Sequence, residues 1–332
     1  MKSVRPVQIS GVGCYVPDRI LTNQELERMV DTSDEWILQR TGISERHIVD
    51  RGTATSDMAE QAVRKLCNST QLALSEIELL IVATVTPDMF FPATACLLQD
   101  KLGISRTWGF DLSAACCGFV YSLSVGAAFV AAGLHSKVVV VGSDTMSSIV
   151  DYQDRATCVL FGDGAGAVLL EPAKDENNAL IDFYHEVDGS GGADLQMPAG
   201  GSLLPSSCET VKNRLHYVKQ EGQAVFKFAI RKMEEASRTI LARNQFRPQD
   251  IQLLIPHQAN ARIIRGTAER LCLQEDQFIV NLDQYGNTTA ATIPLAMQDA
   301  INLERLKKGD LVLLASVGAG FTVGTALLRW AF

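Results

Sequence analysis

The chain has 332 residues, 47% hydrophobic and 20% charged, with a net charge of −8 at pH 7. This is globular composition, long enough for two domains or one fused pair. The acidic surplus, without any basic run or aromatic–basic interleaving, excludes a general nucleic-acid binder. Eight cysteines occur without a C-x-x-C pair or zinc-like Cys/His spacing, and Met1 to Pro6 lacks the apolar core of a signal peptide, so free thiols in a reducing cytoplasm are expected.

Thr22-Asn23-Gln24-Glu25 and Thr32-Ser33-Asp34-Glu35 each fit a capping box and predict a helix start. Leu79 to Ala83 is a short continuous apolar run, as are Val138 to Val141 and Leu311 to Leu314. Such runs, alternating with helical patterns, predict an α/β fold with its sheets covered on both faces.

Between the first two runs lies Phe110-Asp111-Leu112-Ser113-Ala114-Ala115-Cys116-Cys117-Gly118, where a strand is expected to run into a helix. At that junction the free N–H groups and the helix dipole favour a thiolate, the form that attacks thioesters. Cys116 is therefore the candidate nucleophile, against the ordinary reading of a cysteine as a small core hydrophobe. Cys117, about 100° further round the helix, reads as packing. From Leu112 to Ser136 there is no Asp, Glu, Lys or Arg, a length that would allow a membrane crossing. Ser113, Gly118, Ser122, Ser124, Gly126 and Gly133 make the segment small and only modestly apolar, which predicts a helix buried in a large core.

Gly189 to Gly201 reads as a loop, either a surface excursion or the wall of a site. Apolar residues at helical spacing from Val225 to Leu241 predict a long amphipathic helix. His257 follows the apolar Leu253-Leu254-Ile255, at the carboxyl end of a predicted strand, where ligands of α/β sheets tend to bind. Asn287 sits in Tyr285-Gly286-Asn287-Thr288-Thr289, a tight turn before a small-residue helix, and Ser316 to Phe321 is glycine-rich and able to aim N–H groups at a bound oxygen. Each has a plainer reading: a hydrogen-bonded structural histidine, a turn asparagine, glycines that merely allow a hairpin.

A faint internal repeat is present. Ser75 to Ile81 is similar to Gln249 to Ile255, and Gly164 to Val168 to Gly318 to Thr322, in the same order, which predicts two similar halves joined near residue 173.

In this order, the blocks around Cys116, His257, Asn287 and Gly318 to Gly320, with Trp36 to Ile43, Phe91-Pro92-Ala93-Thr94 and Phe161 to Gly166, resemble β-ketoacyl-acyl-carrier-protein synthase III, a branch of the thiolase-like condensing enzymes, over nearly the full length. The resemblance implies an α/β thiolase-like fold of two similar halves in a layered α-β-α-β-α core, with residues 1–173 carrying the nucleophile and 174–332 the histidine and asparagine. It implies a cytoplasmic homodimeric acyltransferase of lipid metabolism. The expected reaction is a decarboxylative Claisen condensation of a short acyl-CoA with malonyl-acyl-carrier protein through a Cys thioester, initiating fatty acid synthesis. No permanently bound cofactor and no metal are expected, with coenzyme A entering as a thioester substrate. Neither a nucleic-acid partner nor membrane insertion is implied.

Residue by residue, the resemblance makes Cys116, His257 and Asn287 catalytic and assigns the backbone N–H groups of Cys116 and Ala319 to an oxyanion hole. Trp36, Arg40 and Arg155 match a CoA-binding groove, Phe91 and Met146 an acyl pocket, and Lys227, Arg262 and Arg265 a carrier-protein docking surface. Phe91 matches a residue that closes the neighbouring subunit's pocket. Two departures are Glu269, where relatives often carry a basic residue, and Ala319, where many carry glycine. The alternatives are a starter or chain-joining ketosynthase of secondary metabolism or cofactor synthesis and, from another class, a non-catalytic acyl binder in which Cys116 and Cys117 sense oxidation.

Overall fold

The structure is a computed structural model and describes residues 5–332. Two sheets organise it. The first contains β1 (Val7–Tyr15), β2 (Leu79–Ala83), β3 (Trp108–Leu112), β4 (Val138–Asp144) and β5 (Gly164–Pro172), in the spatial order β1-β5-β4-β2-β3. The second contains β6 (Leu180–Val187), β7 (Leu253–Pro256), β8 (Leu311–Gly318) and β9 (Thr322–Arg329), in the order β6-β9-β8-β7. In the first, β1-β5 and β5-β4 are antiparallel and β4-β2 is parallel. The second repeats that sequence of directions through β6-β9, β9-β8 and β8-β7. The similar segments Leu79 to Ile81 and Leu253 to Ile255 fall on the matching strands β2 and β7.

Helices fill three layers around the sheets. Between the sheets lie α4 (Gly118–Ala131) and α7 (Thr292–Asn302), after α1 (Asp34–Thr41), α2 (Thr55–Thr70) and α3 (Thr94–Leu102). Leu79, Ile81, Val138 and Val140 face inward with Leu253, Ile255, Val312 and Leu314, enclosing Phe119, Leu123, Ile293 and Met297. Their neighbours Leu80, Val82, Val139 and Val141 point the other way, onto Met58, Ala62, Leu66 and Leu98 of α2 and α3. Leu254, Leu313 and Ala315 likewise pack on α5 (Gly222–Arg243) and α6 (Ala261–Arg270). Both faces being covered, the strands need no polar alternation, and each large aliphatic side chain so buried contributes about 1.5–3 kcal/mol.

The charge-free segment is α4, wedged between the sheets. A Cβ on its Gly126 would lie 2.9 Å from Leu170 and 3.0 Å from Val140, so only glycine lets helix and sheet approach this closely. No helix among the described residues is long and apolar enough to cross a membrane.

Local expectations hold with instructive shifts. Thr22 and Glu25 form the reciprocal capping box, whereas at the second start Ser33, not Thr32, caps the helix by accepting from the Trp36 N–H. The amphipathic helix runs further than expected at both ends, as α5. Within Gly189 to Gly201 the backbone makes a short 3-10 turn, Gly189–Ala193, then a two-residue strand, Leu195–Gln196, paired with Lys219–Gln220. Strand β3 does not run directly into α4. A 3-10 turn, Ala115–Cys117, intervenes, so Cys116 precedes the helix and Cys117 occupies its N-cap.

Candidate active site

Cys116, His257 and Asn287 line one cavity, with Phe161, Gly318 and Phe321 among its other walls. The three are almost wholly buried, at 7%, 2% and 6% exposure. They arrive from separate places: the turn before α4, the carboxyl end of β7, and the turn before α7.

Both halves of the chain hold the Cys116 backbone. Ala115 adopts φ 48°, unusual for a residue with a side chain, which turns the chain sharply before the sulfur. The Ser316 hydroxyl donates to the Cys116 carbonyl at 2.8 Å, and the Thr322 hydroxyl to the Ala114 carbonyl at 3.1 Å. A Cβ at Gly318 would lie 2.8 Å from the Cys116 nitrogen, so the glycine loop rests directly on that peptide. Among the described residues no backbone carbonyl accepts from the N–H of Cys116 or of Ala319.

The sulfur's protonation differs from the sequence expectation. Burial pushes the Cys116 thiol far up, Cys117 and Asp144 add to the rise, and only its own backbone N–H opposes it. The resting group is a neutral thiol, because loss of solvent outweighs the dipole of a helix that begins two residues later.

The His257 N–H donates to the Ala315 carbonyl at 2.8 Å, fixing the residue beside β8. Its Nδ1 lies 2.7 Å from the Thr292 hydroxyl. Burial lowers the imidazole to about 3, so it is neutral at physiological pH. Asn287 is pinned at both backbone ends, its N–H donating to Leu160 at 2.9 Å and its carbonyl accepting from Gly162 at 3.1 Å. Its Oδ1 accepts from the Thr289 N–H at 3.0 Å, which orients the carboxamide and leaves Nδ2 to donate. Asp144, fully buried at the end of β4, accepts from the Ala290 N–H at 3.1 Å and from Val85, Thr84 and Thr86 on its other side. Burial raises that carboxyl to about 6 against those hydrogen bonds.

The remaining sequence candidates fall into three groups. Trp36, Arg40 and Arg155 come together: the guanidinium carbons of Arg155 and Arg40 lie 4.1 Å and 5.9 Å from the Trp36 ring centre. The Arg155 Nε is buried without a partner. Asn260, on the cavity wall, donates to the Arg40 carbonyl at 3.0 Å and joins this cluster to the cavity. Arg262 and Arg265 are exposed on α6, with Arg262 stacked 5.1 Å from the Phe226 ring beside exposed Lys227. Phe91 and Met146 do not line the Cys116 cavity: Phe91 is 84% exposed, and Met146 is buried among Leu21, Ile37 and Phe161.

Sequence reasoning missed Asp144, Thr292, Ser316 and Thr322. Asp144 carried a signal, an acid closing a strand that opens with four valines, but the three hydroxyl residues resemble any other until the halves are assembled.

Two stacked sheets of matching topology, with a sulfur, an imidazole and a carboxamide meeting between them, define a thiolase-like condensing enzyme. Residues 110–189 match the family described as 3-oxoacyl-[acyl-carrier-protein (ACP)] synthase III, and residues 241–330 match its C-terminal counterpart. The chain belongs to the 3-oxoacyl-[acyl-carrier-protein] synthase III family. It is 58% identical to β-ketoacyl-[acyl-carrier-protein] synthase III of Solibacter usitatus over 327 residues, covering 98% of this chain and 99% of that one. It is 55% identical to the Koribacter versatilis protein of the same name, with 100% of each covered. The crystal structure of 3-oxoacyl-[acyl-carrier-protein] synthase III from Aquifex aeolicus superposes with a TM-score of 0.90 at 41% identity, covering 98% of this chain and 100% of that one. The priming β-ketosynthase of the R1128 polyketide pathway superposes with a TM-score of 0.91 at 30% identity, covering 100% and 98%.

Proposed function

We propose that the chain joins a short acyl-CoA to malonyl-acyl-carrier protein with loss of CO₂, through a thioester on Cys116, and so starts fatty acid synthesis. The observation that carries this is the meeting of Cys116, His257 and Asn287 on one cavity. The sulfur attacks the acyl-CoA carbonyl while the N–H groups of Cys116 and Ala319 hold the developing oxyanion. Because burial keeps the thiol protonated, its proton leaves as the S–C bond forms and ends on the departing CoA sulfur. Malonyl-carrier protein then loses its carboxylate as CO₂. The enolate oxygen that results takes hydrogen bonds from His257 Nε2 and Asn287 Nδ2, both on neutral groups suited to donating rather than titrating. The enolate carbon attacks the Cys116 thioester, the C–S bond breaks, and the freed sulfur regains a proton from water. The product is a 3-oxoacyl-carrier protein.

Trp36, Arg40 and Arg155 hold the adenine end of coenzyme A in this reading, and no cofactor stays bound between turnovers. Lys227, Arg262 and Arg265 receive the acidic carrier protein. Phe91 bounds the acyl chain by reaching into the pocket of a second subunit of a cytoplasmic homodimer, whereas Met146 lies behind Phe161, outside the cavity wall. Residues 1–173 and 174–332 are the two fused halves. The likeness to a priming ketosynthase favours a second reading, the same chemistry on a specialised starter.

Intact mass after incubation with a graded series of acyl-CoAs tests the first step. A gain equal to the acyl group, absent in Cys116→Ser, is expected. His257→Ala and Asn287→Ala are expected to keep that gain and to lose about 10²–10³-fold in CO₂ release from malonyl-carrier protein. Undiminished CO₂ release in both variants removes the assignment. Fast acylation only by an unusual starter selects the second reading.

A further inference from the structure

Thr292, only 2% exposed, opens α7, and its hydroxyl lies between two groups that can accept its single proton. One is His257 Nδ1 at 2.7 Å, the other the Thr289 carbonyl at 3.2 Å. Among the described residues no other group hydrogen-bonds the His257 ring. The two choices have different consequences for a neutral imidazole, which carries one N–H. If the hydroxyl donates to Thr289, Nδ1 must hold the ring proton and Nε2 offers the cavity a lone pair. If the hydroxyl donates to Nδ1, the ring proton sits on Nε2 and the cavity meets a donor.

We propose that Thr292 is a positioning residue that holds His257 in its Nε2–H tautomer by donating its hydroxyl to Nδ1. The shorter contact lies at the optimum for an O–H donor, and the Thr289 contact lies beyond it. The inference rests on the assignment of His257 to the enolate oxygen. It adds that the donor there is built by a hydroxyl one helical turn beyond the asparagine loop.

Thr292→Val keeps the shape and removes the proton, and Thr292→Ser restores it. In Thr292→Val, Cys116 acylation by acyl-CoA should be unchanged, whereas CO₂ release from malonyl-carrier protein should fall about tenfold or more, equivalent to about 1.4 kcal/mol. Thr292→Ser should return CO₂ release to near the starting level. Long-range ¹H–¹⁵N spectra of protein labelled in histidine, with His257 assigned by its loss in His257→Ala, should show Nε2 protonated and Nδ1 bare in the unaltered chain. A protonated Nδ1 there overturns the proposal even if Thr292→Val fails to fold. Equal losses of acylation and CO₂ release in Thr292→Val also overturn it, since they mark a merely structural role. Full CO₂ release in Thr292→Val beside a crippled His257→Ala removes the Thr292 role alone. Full release in His257→Ala removes the assignment beneath it.

Discussion

The Cys116 thiol and the His257 imidazole are displaced in opposite directions chiefly by the removal of water, with Cys117 and Asp144 adding to the rise of the thiol, and both end up neutral. Alkylation by iodoacetamide reads the sulfur directly, because only the thiolate reacts. A thiol held above its ordinary range gains thiolate about tenfold per pH unit, so the Cys116 rate should climb from pH 6 to pH 9 without levelling. A plateau near neutrality would contradict the burial argument. That Cys116, His257 and Asn287 belong together was legible in the sequence, since each stands beside an apolar run or a glycine turn, and the three line one cavity. Their protonation was not, because the covering atoms come from segments up to two hundred positions away, such as Ser316 over Cys116.

The strands β2, β4, β7 and β8 were legible as elements because both faces are covered, leaving uninterrupted Val, Ile and Leu runs, whereas β1 and the half-exposed β6 were not. The paired Leu195–Gln196 and Lys219–Gln220 were not, being two residues each with no apolar periodicity to betray them. The strand-to-helix junction was misjudged by one 3-10 turn, which only the packing of the Gly318 loop on Cys116 reveals. Asp144 shows what an element's last residue can do. It ends β4 in the first half and holds the Asn287 turn of the second through the Ala290 N–H. Asp144→Asn places an NH₂ among donors and should cost about 1–3 kcal/mol or more of stability. It should also slow CO₂ release more than Cys116 acylation. Chemical denaturation and the two half-reactions check this, and equal slowing of both steps would count against it.

For the molecule as a whole, the repeated order of apolar blocks announced two matching sheets, and the structure gives the four strands of the second the order and directions of β1-β5-β4-β2 in the first, which carries β3 as a fifth. Sequence could not say how the surface is used. Trp36 is stacked against Arg155 at 4.1 Å, and in the proposed reading the adenine of coenzyme A enters by parting the two groups. Trp36→Ala and Arg155→Ala should therefore raise KM for acyl-CoA severalfold with little change in kcat, whereas an unchanged KM in both would place the CoA groove elsewhere. The cations Lys227, Arg262 and Arg265 are exposed on a chain of net charge −8, with Arg265 lying 3.6 Å from Glu275.

Ser316 grips the peptide of the nucleophile from one sheet while Asp144 grips the asparagine turn from the other. These reciprocal clasps cross the seam beside the cavity that Cys116 and Asn287 line. Heat or denaturant that parts the sheets thus dismantles chemistry and architecture in a single event. Turnover should therefore fall in step with the parting of the sheets in a denaturant titration.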